Sequence, residues 1–319
     1  MDTAPPRSGQ GSKYDQLIAA AKAEPAVMTI VVHPCDQSSL GGALAASDKG
    51  LIVPVLVGPE GRIRGVAAEH GFNLAGCEII DVPHSHAAAA KGVELVRAGK
   101  GEILMKGSLH TDELMREVTS SSGGLRTARR ISHVFVMDVP GHPETLFVTD
   151  AAINIFPDLD TKRDIVQNAI DLCHAIGVKE PLVAILSAVE TVTTKIPSTI
   201  EAAALCKMAE RGQITGGLVD GPLAFDNAIN PEAARIKGIV SPVAGRAQVL
   251  VVPDLEAGNM LAKNLTFLSH ADAAGVVLGA RIPIVLTSRA DSVRTRLASS
   301  AVASLCAAAR RKLAPLPAA

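Results

Sequence analysis

The sequence predicts an α/β protein, and three observations carry that reading. Short β-branched runs alternate along the chain with longer, alanine-rich amphipathic stretches. Most of the apolar runs are continuous and not alternating, as in strands covered on both faces. A length of 319 residues, 48% of them hydrophobic, allows two separately cored domains at roughly 100–200 residues each.

The elements follow in order. Met1 to Lys13 is polar and rich in Pro, Gly and Ser, and reads as a frayed lead-in with no apolar region of the signal-peptide kind. Strands are expected at Val27–Val32, Leu51–Val57, Ile79–Val82 and Glu102–Met105, with Ala87–Ala90 inside a helix. Thr119–Ser132 holds Ser, Gly and Arg and almost nothing apolar, which marks a loop at a domain junction. His133–Asp138 and Leu146–Thr149 are the next strands. Thr161 to Gly177 is a helix: Ile165, Ala169, Cys173 and Ile176 fall on one face, Thr161 and Asp164 stand at its start and Gly177 stops it. Strands follow at Leu182–Leu186, Gly217–Val219, Gln248–Val252, Ala274–Leu278 and Pro283–Leu286. The last helix, Ser292 to about Leu313, aligns Val293, Leu297, Ala301 and Leu305 on one stripe, with Arg294 and Arg296 elsewhere.

Composition narrows the function classes. The 31 Lys+Arg and 32 Asp+Glu leave a net charge of -1, and aromatics are only 2% of the chain. A nucleic-acid partner is therefore not expected: there is neither a broad basic footprint nor a supply of stacking rings. The apolar stretches are broken well short of the roughly 18–20 residues of a membrane span, as by Arg281 between Ala273–Ala280 and Ile282–Thr287. Five widely spaced cysteines without CxxC fit reduced thiols, so a cytoplasmic protein without disulfide or metal scaffolding is expected. GxxxxGK[ST], strand-attached GxGxxG, GxSxG and HExxH are all missing, and the HxH at His84 and His86 reads as surface at a helix start.

Several strand ends carry polar clusters, where α/β proteins bind ligands. In Pro283-Ile-Val-Leu-Thr-Ser-Arg-Ala-Asp-Ser292 a strand turns into a helix. Ser288 offers a hydroxyl, Arg289 a planar fork, and the helix start its free amides, which together suit a phosphate. The alternative is that Ser288, Asp291 or Ser292 only caps the helix. Asp220 and Asp226 lie six apart: they serve acid/base work or hold a metal as paired acids, or Asp220 closes a turn with Gly221-Pro222 while Asp226 caps a short helix. After the Gln248–Val252 strand, Asp254 is placed to cap a helix in which Gly258 implies close approach of another group, and Asn259 and Lys263 share a face. Lys106 ends its strand as either a phosphate contact or a solvated terminus.

The blocks MKGSLHT, VTDAAINIFPDL, AVETVTTKIPSTIEAAAL, LVDGPLAFDNAI, SPVAGRAQVLVVPDLEAGNMLAKNL and PIVLTSRADS closely resemble the phosphate acetyl/butyryltransferase family, over about Leu104 to Ala303. LMKG and SRADS lean to its phosphotransbutyrylase-like branch. The resemblance implies reversible transfer of a short acyl group between CoA and inorganic phosphate. It implies two three-layer α/β domains with the active site in the cleft between them, like the isocitrate and isopropylmalate dehydrogenases. By that analogy the domains are 1–136 with 278–319, and 137–277. It further implies a homodimer or higher homo-oligomer, small-molecule substrates, CoA as a substrate and no permanently bound cofactor. Ser288, Arg289 and Asp291 become the catalytic candidates, and Lys106, Ser132, Asp220, Gly258, Asn259 and Lys263 the expected phosphate and CoA contacts. One departure matters. Phosphotransacetylases place an aspartate, the proposed thiol base, seven residues after the Ser; here Thr295 stands there and Asp291 follows Ser288 by three. The rivals are a metal- and NAD(P)-dependent decarboxylating dehydrogenase on the same fold, for which Asp220 and Asp226 are thin support, and a non-catalytic acyl-CoA-binding protein.

Overall fold

In the computed structural model, which describes residues 13–287 and 291–312, the chain begins with α1 (Lys13–Lys22) and then alternates. It runs β1 (Val27–Val32), α2 (Gln37–Asp48), β2 (Ile52–Gly58), α3 (Glu60–His70), β3 (Glu78–Asp81), α4 (Ser85–Arg97), β4 (Ile103–Lys106) and α5 (Thr111–Thr119). After the polar stretch come β5 (Ser132–Asp138), β6 (Leu146–Thr149), α6 (Leu159–Ala175), β7 (Leu182–Leu186), α7 (Pro197–Glu210), β8 (Leu218–Leu223), α8 (Phe225–Ile229) and α9 (Pro231–Ile236). Then β9 (Val249–Val251), α10 (Leu255–Phe267), β10 (Asp272–Leu278), β11 (Ile284–Val285) and α11 (Val293–Arg311) complete it. All eleven expected strands are present, three of them with the expected bounds.

The strands form one sheet in the order β3-β2-β1-β4-β11-β10-β5-β6-β9-β7-β8. β3, β2, β1, β4 and β11 are mutually parallel, as are β6, β9, β7 and β8. Between the groups, β11–β10, β10–β5 and β5–β6 are all antiparallel. Three reversals leave the two parallel groups pointing in opposite directions. The carboxyl ends of the first group thus lie on one edge of the sheet and those of the second on the other.

Helices cover both faces. One core cluster runs without a break beneath α1, α2, α3, α11, α6 and α7, joining Leu40, Ile63 and Val302 to Val166 and Leu205. On the opposite face the core divides: α4 and α5 pack on the first group through Ala89, Val93 and Leu114, and α8 and α10 on the second through Ala228 and Leu265.

Three local expectations change, and the cap of α11 is settled among the three residues offered. The strand expected to stop at Val219 continues to Leu223, with Gly221 and Pro222 inside it; β8 is the last strand of the order, so a residue lacking an N–H is tolerated there. α6 starts two residues before Thr161, capped by Asp158, which accepts from Thr161 N–H at 2.8 Å. Asp164 instead accepts from the Arg130 N–H at 2.9 Å, tying the 120–131 loop to α6. At α11 the cap is Ser292, which accepts from Thr295 N–H at 3.1 Å. Asp291 does not cap the helix.

Candidate active site

The carboxyl edge of the first group is rich in buried charge. Lys106 ends β4, opposite Val32 of β1, and is 6% exposed; its Nζ lies 3.4 Å from Gly107 O. The chain then passes under the end of β1, where Gly107 N–H donates to Val32 O and Ser108 N–H to His33 O, both at 2.8 Å. A Cβ at Gly107 would stand 2.4 Å from both carbonyl oxygens, so only glycine fits. His33 takes up a left-handed backbone (φ 54°) and sets its Nδ1 3.2 Å from Ser108 Oγ and 3.1 Å from Ser108 O. Burial lowers its pKa, against the Ser108 carbonyl.

Arg296 comes to this edge from α11. It is 7% exposed, donates from Nη1 to Thr287 Oγ1 at 2.7 Å and reaches Ser38 Oγ at 3.4 Å. Burial lowers its pKa, opposed by the charges of Asp291 and Asp36. Asp36 caps α2; burial works against its carboxylate, but the bonds from Ser39 and Ser38 outweigh burial and hold it below the usual range. Asp291 is half-buried beside this group. Ser288 and Arg289, the other two catalytic candidates, lie outside the described residues.

The remaining candidates stand on the opposite edge. Ser132 begins β5, fully buried, its Oγ accepting from Asn168 Nδ2 at 2.8 Å. Asp220 lies inside β8, half-buried, accepting from Gly221 N–H at 2.9 Å. Asp226 is on α8 and pairs with Lys237 at 3.2 Å. Gly258 of α10 does mark a close approach, but the group that approaches is the chain itself. A Cβ there would meet Val252 Cγ2 at 2.7 Å and both Ala151 Cβ and Asp150 O at 2.9 Å. Asn259 Nδ2 bonds Ala151 O at 3.3 Å, and Lys263, one turn on, is exposed. Asp150, beneath α10, is 3% exposed; burial raises its pKa while the N–H groups of Ala152, Ile153 and Asn154 and the Asn154 amide oppose that rise.

The structure therefore joins Lys106, Asp291, Arg296 and His33 on one edge, and Asp220, Gly258, Asn259 and Lys263 with Ser132 on the other. His33 and Ser108 were findable by the rule that led to Lys106, since both follow a strand's carboxyl end. Arg296 was not: it sits off the apolar stripe of α11, where a charged residue reads as solvated.

Buried cations and hydrogen-bond donors at the carboxyl edge of parallel strands are the setting in which α/β proteins hold phosphorylated small molecules. The phosphate acetyl/butaryl transferase family model matches residues 84–304. Phosphate acetyltransferase of Rhizobium meliloti is 78% identical over 302 residues, covering 95% of this chain and 96% of that protein. Phosphate butyryltransferase of Clostridium acetobutylicum is 40% identical over 294 residues, covering 92% and 98%. The crystal structure of a branched-chain phosphotransacylase from Enterococcus faecalis V583 superimposes with a TM-score of 0.77 at 29% identity, over 88% of this chain and 99% of that one. The chain belongs to the phosphate acetyl/butyryl transferase family, and it is an acyltransferase.

Proposed function

We propose that this enzyme catalyses acyl-CoA + phosphate ⇌ acyl phosphate + CoA for short acyl groups, acetyl to butyryl, at the edge where β1, β4 and β11 end. The observation that carries the reading is that buried Lys106 and Arg296, with Asp291 beside Arg296, share one carboxyl edge of the sheet, in a chain of this family.

In the direction of acyl-CoA synthesis, the CoA sulfur bonds to the carbonyl carbon of the acyl phosphate, and the bond from that carbon to the phosphate oxygen breaks. The thiol proton passes to Asp291, and phosphate leaves with the electron pair. Ser288 donates to the developing carbonyl oxyanion, while Arg289 and Lys106 hold the phosphate. Arg296 positions Asp291 from below. Asn259, Lys263 and Asp220 stand on the opposite edge of the sheet, and the family resemblance alone supports them as contacts for the rest of CoA. Ser132 and Gly258 serve that edge from within, one bonded to Asn168, the other admitting the Asp150–Ala151 backbone. No step requires a permanently bound cofactor.

The same reading includes two three-layer α/β domains, 1–136 with 278–319 and 137–277, of the isocitrate and isopropylmalate dehydrogenase kind with a cleft between them; the core divided on one face supports it. A homodimer or higher homo-oligomer is supported by exposed Ile155, Phe156 and Met260, on α10 and the loop bonded to it. A cytoplasmic location is supported by five free cysteines.

The test is phosphate-dependent thiol release from acetyl-, propionyl- and butyryl-CoA. Turnover is expected with all three, with modest preferences, since each buried methylene contributes only about 0.8 kcal/mol. No release, or NAD(P) reduction with 2-hydroxy acids at 340 nm, would overturn the reading.

A further inference from the structure

The polar stretch between α5 and β5 is not used by the proposed reaction, yet it builds a cavity. The 120–124 loop and the exposed side chains of Arg97, Arg126 and Arg281 line an open surface pocket of about 270 Å³. Three separate segments bring the arginines there. Arg97 is the last residue of α4, Arg126 follows the loop, and Arg281 precedes β11. Arg281 N–H donates to Leu125 O at 2.8 Å, and Arg126 forms a β-bridge with Ala280. Arg97 Nη1 lies 3.5 Å from Ser122 O, and a Cβ at Gly123 would stand 3.1 Å from that nitrogen, so the glycine leaves room for the guanidinium. α4 runs back from the carboxyl edge before β4 begins. The cavity therefore opens at the amino edge of the first parallel group, opposite Lys106 and Asp291.

We propose that this cavity is a second anion-binding site, for a ligand carrying more than one phosphate group. Several surface arginines are neutralised, among them Arg64 by Glu60, Arg235 by Glu232 and Arg311 by Glu102. Arg97, Arg126 and Arg281 have no carboxylate partner among the described residues. Three like charges around one small space repel until an anion enters. Guanidinium forks match phosphate oxygens bidentately, and the hydroxyls of Ser121 and Ser122 add donors. The volume suits a diphosphate or a phosphorylated small metabolite and lies below the ~300 Å³ where pockets for larger ligands begin. This phosphate chemistry has two sources: the diphosphate and 3′-phosphate of CoA itself, or a free phosphorylated metabolite.

The experiment is calorimetric titration of the purified enzyme with inorganic pyrophosphate, which reads binding without turnover and so stands apart from the proposed reaction. Binding is expected, weakening as salt is raised. It should weaken by at least about 10-fold in Arg97→Ala/Arg281→Ala and stay unchanged in the charge-matched Arg64→Ala/Arg235→Ala. Melting temperatures confirm that each variant is folded, and the single variants replace any double variant that is not. Competition separates the sources. Displacement of pyrophosphate by CoA more strongly than by 3′-dephospho-CoA, with a raised KM for CoA in the site variant, assigns the site to the nucleotide end of CoA. Displacement by ADP but not CoA assigns it to a free metabolite. Either result supports the site. Absence of pyrophosphate binding at millimolar concentration, or binding unaffected in Arg97→Ala/Arg281→Ala, overturns it.

Discussion

The two carboxyl edges of the sheet come from similar sequence, continuous apolar strands ending in polar clusters, yet they treat those clusters differently. At the second edge, the ends of β6, β7, β8 and β9, polar groups are largely satisfied by the chain itself. Asp150 accepts three backbone N–H groups and the Asn154 amide, Ser187 bonds Ser198, and Glu190 and Asp226 share Lys237. At the first edge, the ends of β1, β4 and β11, Lys106 and Arg296 are buried under less than a tenth exposure, with Asp36 and Asp291 as the nearby acids. Burying cations is costly unless an anion compensates. Polar strand ends occur on both edges, and buried positive charge at the first is what supports the proposed reaction there.

The largest expected effect breaks the first edge. Arg289→Ala should lower kcat/KM by roughly 30- to 1000-fold, about 2–4 kcal/mol of lost transition-state contact, and Asp291→Asn and Ser288→Ala by less. The same assay on Lys263→Ala should change only the KM for CoA, by a few-fold. If Lys263→Ala proved as damaging as Arg289→Ala, the contrast between the edges would fail.

His133 tests the seam between the two groups. It lies on β5, fully buried, its Nδ1 without a hydrogen-bond partner among the described residues, and burial lowers its pKa to about 4. The unfolded value of about 6.5 is higher, so the unfolded chain takes up the proton first as pH falls. The fold should keep its full stability above pH 6.5 and lose on the order of 2–3 kcal/mol between 6.5 and 4 through this residue. Denaturant titrations of His133→Gln at pH 7 and 4.5 should show a correspondingly smaller loss.

At the second edge stability, not chemistry, should respond. Gly258→Ala places a methyl 2.7–2.9 Å from three atoms, which should cost about 1–3 kcal/mol despite the better helix propensity of Ala. Its melting temperature should fall while kcat per folded enzyme holds. The smallest effect is expected at Ser292→Ala, which removes the α11 cap: about 1 kcal/mol of stability with little change in turnover. A collapse of activity there would make Ser292 part of the reacting centre.

Much of this was legible in the chain. Continuous runs such as Val27–Val32 and Leu182–Leu186 could only be buried strands, and the ordered blocks from MKGSLHT to SRADS carried the family. Lys106 was readable as a strand end. Arg296 was not, because its burial depends on α11 packing against α2 and β11, contacts that no local pattern encodes. Asp164 looked like a helix start and instead anchors the Arg130 backbone, a partner 34 residues away.

By itself, then, the sequence determined the eleven strands and their alternation with amphipathic helices, since hydrophobic periodicity, caps and glycine stops act within a few residues. Only the tertiary structure decided which strand ends share an edge. Strand order and direction depend on pairings between distant segments, and the three antiparallel contacts of β11–β10, β10–β5 and β5–β6 turn the second parallel group around. That reversal separates Asp220, Asn259 and Lys263 from Lys106 and Asp291.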